Sequence, residues 1–304
     1  MADVQSKPKV ISFLNMKGGV GKTTLCKDMA YHYSKRMNKK ILVIDIDPQS
    51  NCTHSFFERY QDKAFDKVTE FKDGVETTRL VLKENIPSIH NLFDEAFVGV
   101  DKENIILNLD DNLDLIPGDL RTVFMGRNQG SSTNEQKIVL LLKQLNLKKD
   151  YDFIFIDCPP TYSLYTTAAL LATDAYLIPA KPDLYSVLGL DMLTKVVEKF
   201  SKVDQALLVG DREITCLGII ITMSSSSSGM DNRIDDIKEF ASEKGLYLFE
   251  ESIPYKEKLL TGKMETFMSD RSDISLTKTI HNVCEEFIER TEKCNERRIN
   301  TYDK

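Results

Sequence analysis

The octet Lys17-Gly18-Gly19-Val20-Gly21-Lys22-Thr23-Thr24 narrows what this chain can fold into more than any other stretch. It follows the apolar run Val10-Ile11-Ser12-Phe13-Leu14 and opens a helical pattern running from Lys22 toward Met37. A strand, a glycine-rich turn and a helix, in that order, make a loop that cradles phosphate. The glycines let the backbone turn tightly enough for its N–H groups to converge on an anion. The helix start adds unsatisfied N–H donors at the positive end of its dipole. The spacing places Lys22 to reach the β- and γ-phosphates of a nucleotide and the Thr23 hydroxyl to ligate Mg²⁺. Where the common form of the motif carries its first glycine this chain has Met16, and Lys17 follows it, so a second cation sits in the loop.

The rest of the chain alternates strand-like and helix-like patterns. Apolar runs at Lys40–Asp45, Leu113–Pro117, Phe153–Asp157, Ala175–Pro179 and Cys216–Thr222 read as buried parallel strands, with Leu246–Ile253 as a further one. Helical patterns occupy Glu135–Leu147, Ser186–Phe200, Asp231–Lys244 and Asp273–Glu292. In the last of these, Ile280, Val283, Cys284, Phe287 and Ile288 form one apolar stripe. Such alternation predicts an α/β fold, a mostly parallel twisted sheet with helices on both faces, and a ligand at the carboxyl ends of the strands. His54 to Asn112 breaks the rhythm. It is acidic, with 13 acidic against 7 basic residues from Glu58 to Asp111, and reads as a largely helical insertion at about 54–112, with Thr78–Asn85 and Ile89–Phe97 as its helices. The expected organisation is a single domain over residues 1–304 carrying that insertion.

The net charge of −7 means that any surface for a polyanion must be a local patch. The six cysteines form no C-x-x-C pair and no zinc spacing with histidine, which fits free thiols in a reducing cytoplasm. No apolar run approaches 18 residues and the N-terminus lacks an apolar leader, so neither a membrane span nor a signal peptide is expected.

Two further strand ends carry carboxylates. Phe153-Ile154-Phe155-Ile156-Asp157 ends in one that could hold a water of a Mg²⁺ ion beside the phosphate loop. Asp45-Ile46-Asp47-Pro48-Gln49-Ser50-Asn51 ends another, with Asp45 and Asp47 on one side of the chain by alternation. Strand-end aspartates also cap turns and helices.

At these residues the chain resembles the deviant Walker A ATPases, and within them the ParA/MinD partition family, whose loop reads K-G-G-V-G-K-T-T. The resemblance implies a P-loop NTPase-like fold, ATP and Mg²⁺ as cofactors, and hydrolysis of ATP. It implies that Lys17 crosses to the partner subunit's nucleotide in an ATP-dependent homodimer, while Lys22 binds phosphate in its own subunit. It assigns the orientation of the attacking water to Asp47, the outer metal shell to Asp45, and a Walker B role to Asp157, so that Thr23, Asp45 and Asp157 are the metal-side residues. The nucleotide would be held by Lys17, Gly18, Gly19, Val20, Gly21, Lys22, Thr23 and Thr24, with Pro254 on the adenine side. Leu113–Gly118, Pro182–Gly189 and Ile253–Gly262 resemble later parts of the same core.

A DNA-segregation ATPase is the expected function: it would bind double-stranded DNA without sequence preference when ATP-bound and be stimulated by a centromere-binding protein of ParB type or a small adaptor. A MinD-like positioning ATPase on a membrane needs an amphipathic C-terminal helix with exposed apolar residues. Residues 291–302 offer almost no apolar face, so no membrane partner is expected. A tyrosine kinase of this loop type would carry a tyrosine cluster where only Tyr302 stands, and an iron–sulfur reductase would need a second cysteine to match Cys158. About nine residues precede the first strand, too few for a helix-turn-helix. DNA contact would then run through phosphates, with Arg233, Lys256, Lys258, Lys263 and Arg271 as candidates, in a cytoplasmic, nucleoid-associated protein.

Overall fold

Every residue of the first strand is buried on both faces of a sheet, which is what a run without polar alternation demands. The computed structural model describes residues 7–72, 75–93, 101–121, 132–201, 214–225, 228–257, 259, 263 and 266–302. Ten strands occur among them: β1 (Val10–Phe13), β2 (Ile41–Asp45), β3 (Phe65–Lys72), β4 (Val75–Leu82), β5 (Leu107–Asp110), β6 (Leu113–Ile116), β7 (Phe153–Asp157), β8 (Ala175–Ala180), β9 (Thr215–Ser224) and β10 (Ile253–Pro254). Eight of them form one sheet in the order β10-β9-β8-β1-β7-β2-β6-β5. All its pairings are parallel except β5 with β6. The longer helices are α1 (Lys22–Arg36), α2 (Asn51–Arg59), α3 (Lys137–Gln144), α4 (Leu164–Ala172), α5 (Ser186–Lys199), α6 (Ser228–Glu243) and α7 (Ile274–Tyr302).

The period of two along each strand divides its side chains between two cores. Val10, Leu42, Ile44, Ile154, Ile156 and Ile178 meet residues of α3, α4, α5 and α6. Ile11, Phe13, Ile41, Val43, Phe153 and Phe155 meet α1, α2 and α7 on the other side. Ile280, Val283, Cys284 and Phe287 of the expected stripe are fully buried there, and Ile288 is partly so. Phe287 packs edge-on against Phe153 at 5.3 Å, a favoured aromatic geometry. Each such fully buried side chain contributes about 1.5–3 kcal/mol relative to exposure, so the C-terminal helix is fastened to the sheet rather than free to leave it.

Three expectations need correction. Thr78–Asn85 is not a helix: most of it lies in β4, which pairs antiparallel with β3 from Phe65↔Leu82 to Lys72↔Val75. The β-branched run Val75, Thr77, Thr78 and Val81 favours a pleated strand. The span 54–112 is therefore only partly helical, through α2 and short turns such as His90–Phe93, and its last stretch, β5, belongs to the main sheet. Positions 94–97 lie outside the described residues. Leu246–Ile253 is not a continuous strand either. Leu248 makes one isolated bridge to Ile219, and the N–H groups of Glu250 and Glu251 donate to the Glu286 carboxylate instead of to a neighbouring strand. The helix expected at Glu135–Leu147 is broken into Ser132–Glu135 and α3, and Asn146 at φ 53° separates α3 from a last turn at Leu147–Asp150.

Candidate nucleotide site

The octet joins β1 to α1 at the carboxyl end of the sheet. Gly21 stands at φ 84° immediately before α1, a left-handed conformation that glycine adopts without strain. The loop is tied to the sheet by side chains of its neighbours. The Asn15 amide donates to the Pro179 carbonyl at 2.8 Å while its oxygen accepts the Lys17 N–H at 2.9 Å. The Thr222 hydroxyl donates to the Val20 carbonyl at 2.8 Å.

The two loop lysines are used differently. Lys22 is 6% exposed, and its ammonium donates to the Lys17 carbonyl at 3.0 Å, which keeps it curled inside the loop. Burial lowers its pKa, and Asp157, Cys158 and Asp47 oppose that fall. Lys17 points away from the loop. Its ammonium pairs with both carboxylate oxygens of Asp183, just ahead of α5, and lies 6.0 Å from the centre of the Tyr185 ring. The Asp183 carboxyl is held below its usual range: burial raises it, but the bonds from Lys17, the Tyr185 N–H and the Ser186 hydroxyl together outweigh that.

Asp45 and Asp157 occupy matched positions on the adjacent parallel strands β2 and β7. Both are buried. Burial pushes the Asp45 carboxyl up to about 7, while the Thr53 hydroxyl and N–H, donating at 2.7 and 2.9 Å, oppose the rise. The Asp157 carboxyl is raised well above its ordinary range by burial and then by Asp45. Neither of its oxygens has a well-formed hydrogen bond, although the Thr23 side chain lies near enough to favour the charged form. Two buried carboxylates side by side, one of them unsatisfied, fit a divalent cation held partly through water. Among the described residues no three His, Cys, Asp or Glu side chains surround one metal-sized point. Mg²⁺ keeps several waters and is commonly held by one or two carboxylates together with phosphates.

Asp47 is half-buried at the end of β2, where its carboxylate accepts the Gln49 N–H at 2.9 Å and its carbonyl accepts the Ser50 N–H at 2.8 Å. Its N–H donates to Asp45 at 3.2 Å, and its charge adds to the rise of the Asp45 pKa. Pro254 lines a cleft together with Gly21, Thr24, Thr222, Met223 and Tyr255.

A protein-family model described as an AAA domain matches residues 8–209. The chromosome-partitioning ATPase Soj of Treponema pallidum is 28% identical over 254 residues, covering 83% of this chain and 85% of that protein. A putative plasmid partition protein of Borrelia burgdorferi, solved with AMPPNP, superposes with a TM-score of 0.69 at 25% identity, covering 94% of this chain and all of that one. The chain belongs to the ParA-type partition ATPases of the AAA-domain family. The ATP complex of a Cyanothece McdA variant shares the fold, with a TM-score of 0.70 at 24% identity over 93% of this chain and 97% of that one.

Several residues around the site of this ParA-type ATPase escaped sequence reasoning. Asp183, the partner of Lys17, lies inside Pro182–Gly189, which resembled the family core without marking out the carboxylate. Thr53 carries no motif signal, yet it holds Asp45. The DNA candidates are only partly brought together. Lys256 and Arg271 border one cleft, and Lys263 and Arg271 another. Lys256 pairs with Asp273 at 3.3 Å, and Arg233, on α6, pairs with Asp236 at 3.0 Å. Lys258 lies outside the described residues.

Proposed function

We propose that this ParA-type ATPase forms a homodimer around two ATP molecules, binds double-stranded DNA without sequence preference in that state, and hydrolyses ATP when a centromere-binding partner engages it. It would act as one domain in the cytoplasm, on the nucleoid. The observation that carries the dimer reading is the position of Lys17. A loop lysine serving its own nucleotide would fold inward as Lys22 does. Lys17 instead reaches out to Asp183, beside the exposed Leu184, Tyr185 and Leu188 at the start of α5. An exposed apolar patch next to a site that handles phosphate suits contact with a second copy. Two nucleotides facing each other would concentrate negative charge, and a lysine delivered from each side offsets that repulsion.

In this reading the backbone N–H groups of Gly18 to Thr24 grip the phosphates, and Lys22 straightens from the Lys17 carbonyl to meet them. Asp47 orients the attacking water, since phosphoryl transfer depends on positioning and charge stabilisation more than on covalent chemistry. Mg²⁺, when bound, would be held by Thr23 and, through water, by Asp157 and Asp45, and would shield the phosphate charge. Pro254 would border the base. DNA would be met by phosphate contacts from Lys256 and Lys258, with Arg233 as an outlying contributor. Among the described residues no helix is long and apolar enough to span a membrane, and the apolar stripe of α7 is consumed by the core.

The test compares Asp47→Ala with Lys22→Ala for ATP turnover and nucleotide affinity. Asp47→Ala should bind ATP normally and turn over at least about 100-fold more slowly, in the range of losing one positioned catalytic group. Lys22→Ala should bind poorly. Wild-type turnover by Asp47→Ala would remove it from the mechanism. Duplex binding with ATP and with ADP across a salt series completes it: if Lys256 meets a DNA phosphate, Lys256→Ala should reduce the salt-dependence slope by about 0.9.

A further inference from the structure

Next to the nucleotide site lies a cleft whose charge the ATPase reading leaves unused. Lys27 from α1, Lys263 and Arg271 line it, with a single acid, Asp28. Lys27 is held over the Phe267 ring at 4.5 Å. The Arg271 Nε is enclosed without a hydrogen-bond partner, and its Nη2 makes only a long bond, 3.4 Å, to the Thr266 carbonyl. A buried donor left without an acceptor is destabilising, the more so when it is charged, so a guanidinium in that state points to an absent acceptor. Asp28 does not supply one. Its carboxylate accepts the Met268 N–H at 2.6 Å, and burial raises its pKa while the nearby charges of Lys27 and Arg271 oppose the rise. The cleft therefore favours an anion of fixed position, and Arg with Lys is the usual pairing for phosphate.

The place of the cleft narrows the choice. Thr23 and Thr24 form its wall at the start of α1, and Asn51 and Ser55 of α2 face them. Thr24 and Leu259 are shared with the pocket that holds Gly21 and Pro254. A nucleotide with its phosphates on the loop and its base against Pro254 must carry its ribose past Thr24, at the junction of the two clefts. We propose that the Lys27–Lys263–Arg271 cleft receives a phosphate group borne on the ribose of the bound adenine nucleotide, so that ribose-phosphorylated adenine nucleotides are preferred ligands. The inference rests on the assignment of Pro254 to the base side. A free phosphate or pyrophosphate shares the chemistry and is separated from this source by the experiment.

Calorimetric titration of the full chain with ADP, with 3′-phosphoadenosine 5′-diphosphate and its 2′-isomer, and with pyrophosphate added to the ADP-saturated protein distinguishes these. One of the two ribose-phosphorylated nucleotides should bind about tenfold or more tightly than ADP, the equivalent of 1.4 kcal/mol. The advantage should shrink as salt is raised. Arg271→Gln should lose the advantage while keeping its affinity for ADP. The exposed Lys263→Gln should reduce it, which serves as the second variant should Arg271→Gln fold poorly. Equal affinities for ADP and both phosphorylated forms would overturn the proposal. So would Arg271-dependent pyrophosphate binding without any gain from ribose phosphate, which would assign the cleft to a free ligand. A chain that binds no ADP at all would overturn the nucleotide-site reading as well, so the two failures are told apart by the ADP titration alone.

Discussion

Gly118→Ala should damage the site through sterics alone. Gly118 follows β6, and its N–H donates to the Thr53 hydroxyl at 2.7 Å, which in turn donates to Asp45. A Cβ at this position would stand 2.9 Å from the Asp45 carboxyl and 2.9 Å from the Ser50 hydroxyl. Neither neighbour has room to retreat. Asp45 is fully buried and anchored by Thr53, and Ser50 is 4% exposed at φ 52°. Overpacking of this kind typically costs about 1–3 kcal/mol, while the loss of unfolded-state freedom in replacing glycine returns about 0.4–1 kcal/mol. The left-handed backbone does not enter, because Gly118 is not among the positive-φ glycines. A net loss near 1–2 kcal/mol lowers the melting temperature by about 2–4 °C per kcal/mol in domains somewhat smaller than this one. Turnover should fall further than stability, because the wedge acts on the carboxylate next to Asp157. Thermal melts and ATP turnover well below the melting point give both quantities. Adding Ser50→Gly removes one of the two clashes at a position whose φ suits glycine, and should recover part of the loss. A Gly118→Ala protein with unchanged melting temperature and wild-type turnover would refute the argument that Asp45 and Ser50 are held rigidly.

The pH dependence of the nucleotide-free protein has a definite sign. The folded-state pKa of Asp45, about 7, lies above its ordinary 3.8, so this contribution to stability is fully present below the unfolded value and is lost as pH rises through the folded one. Melting temperature should therefore decline between about pH 4 and pH 7, and Mg²⁺ with nucleotide should flatten the decline; a flat profile without nucleotide would contradict it. Asp183→Asn should release Lys17 and favour the ATP-bound dimer. The pair is about 30% exposed on each side, so the shift in dimerisation constant should not exceed about fivefold, and sedimentation with ATP would expose a weaker dimer if Asp183 instead works across the interface.

Local signals were strong where the chain's own neighbours decide the outcome. The phosphate loop, the central strands and the stripe on α7 were legible because period two and period 3.6 register burial directly, and because the Gly21 turn is built within a few residues. The hairpin of β3 and β4 was misread because its threonines and valines sit among charges that also suit a helix. Its strands gain their stability from each other, through pairings such as Thr69↔Thr78 that no window on one strand contains. At Glu250 and Glu251 a distant carboxylate, Glu286 of α7, took the N–H groups that a strand would have used.

What the sequence by itself determined was the chemistry available: a loop that binds phosphate, two lysines in it, and carboxylates at the ends of two strands. What the tertiary structure decided was how those groups are deployed. The register of β2 with β7 sets Asp45 beside Asp157 in a buried place where the Asp45 charge adds to burial in raising the Asp157 pKa, a pairing between residues 112 positions apart. The packing of α5 against the sheet brings Asp183 to Lys17 and so turns that lysine outward, while Lys22, five residues on, stays in. Burial and charge act through space, and the fold alone fixes which residues are near enough to feel them.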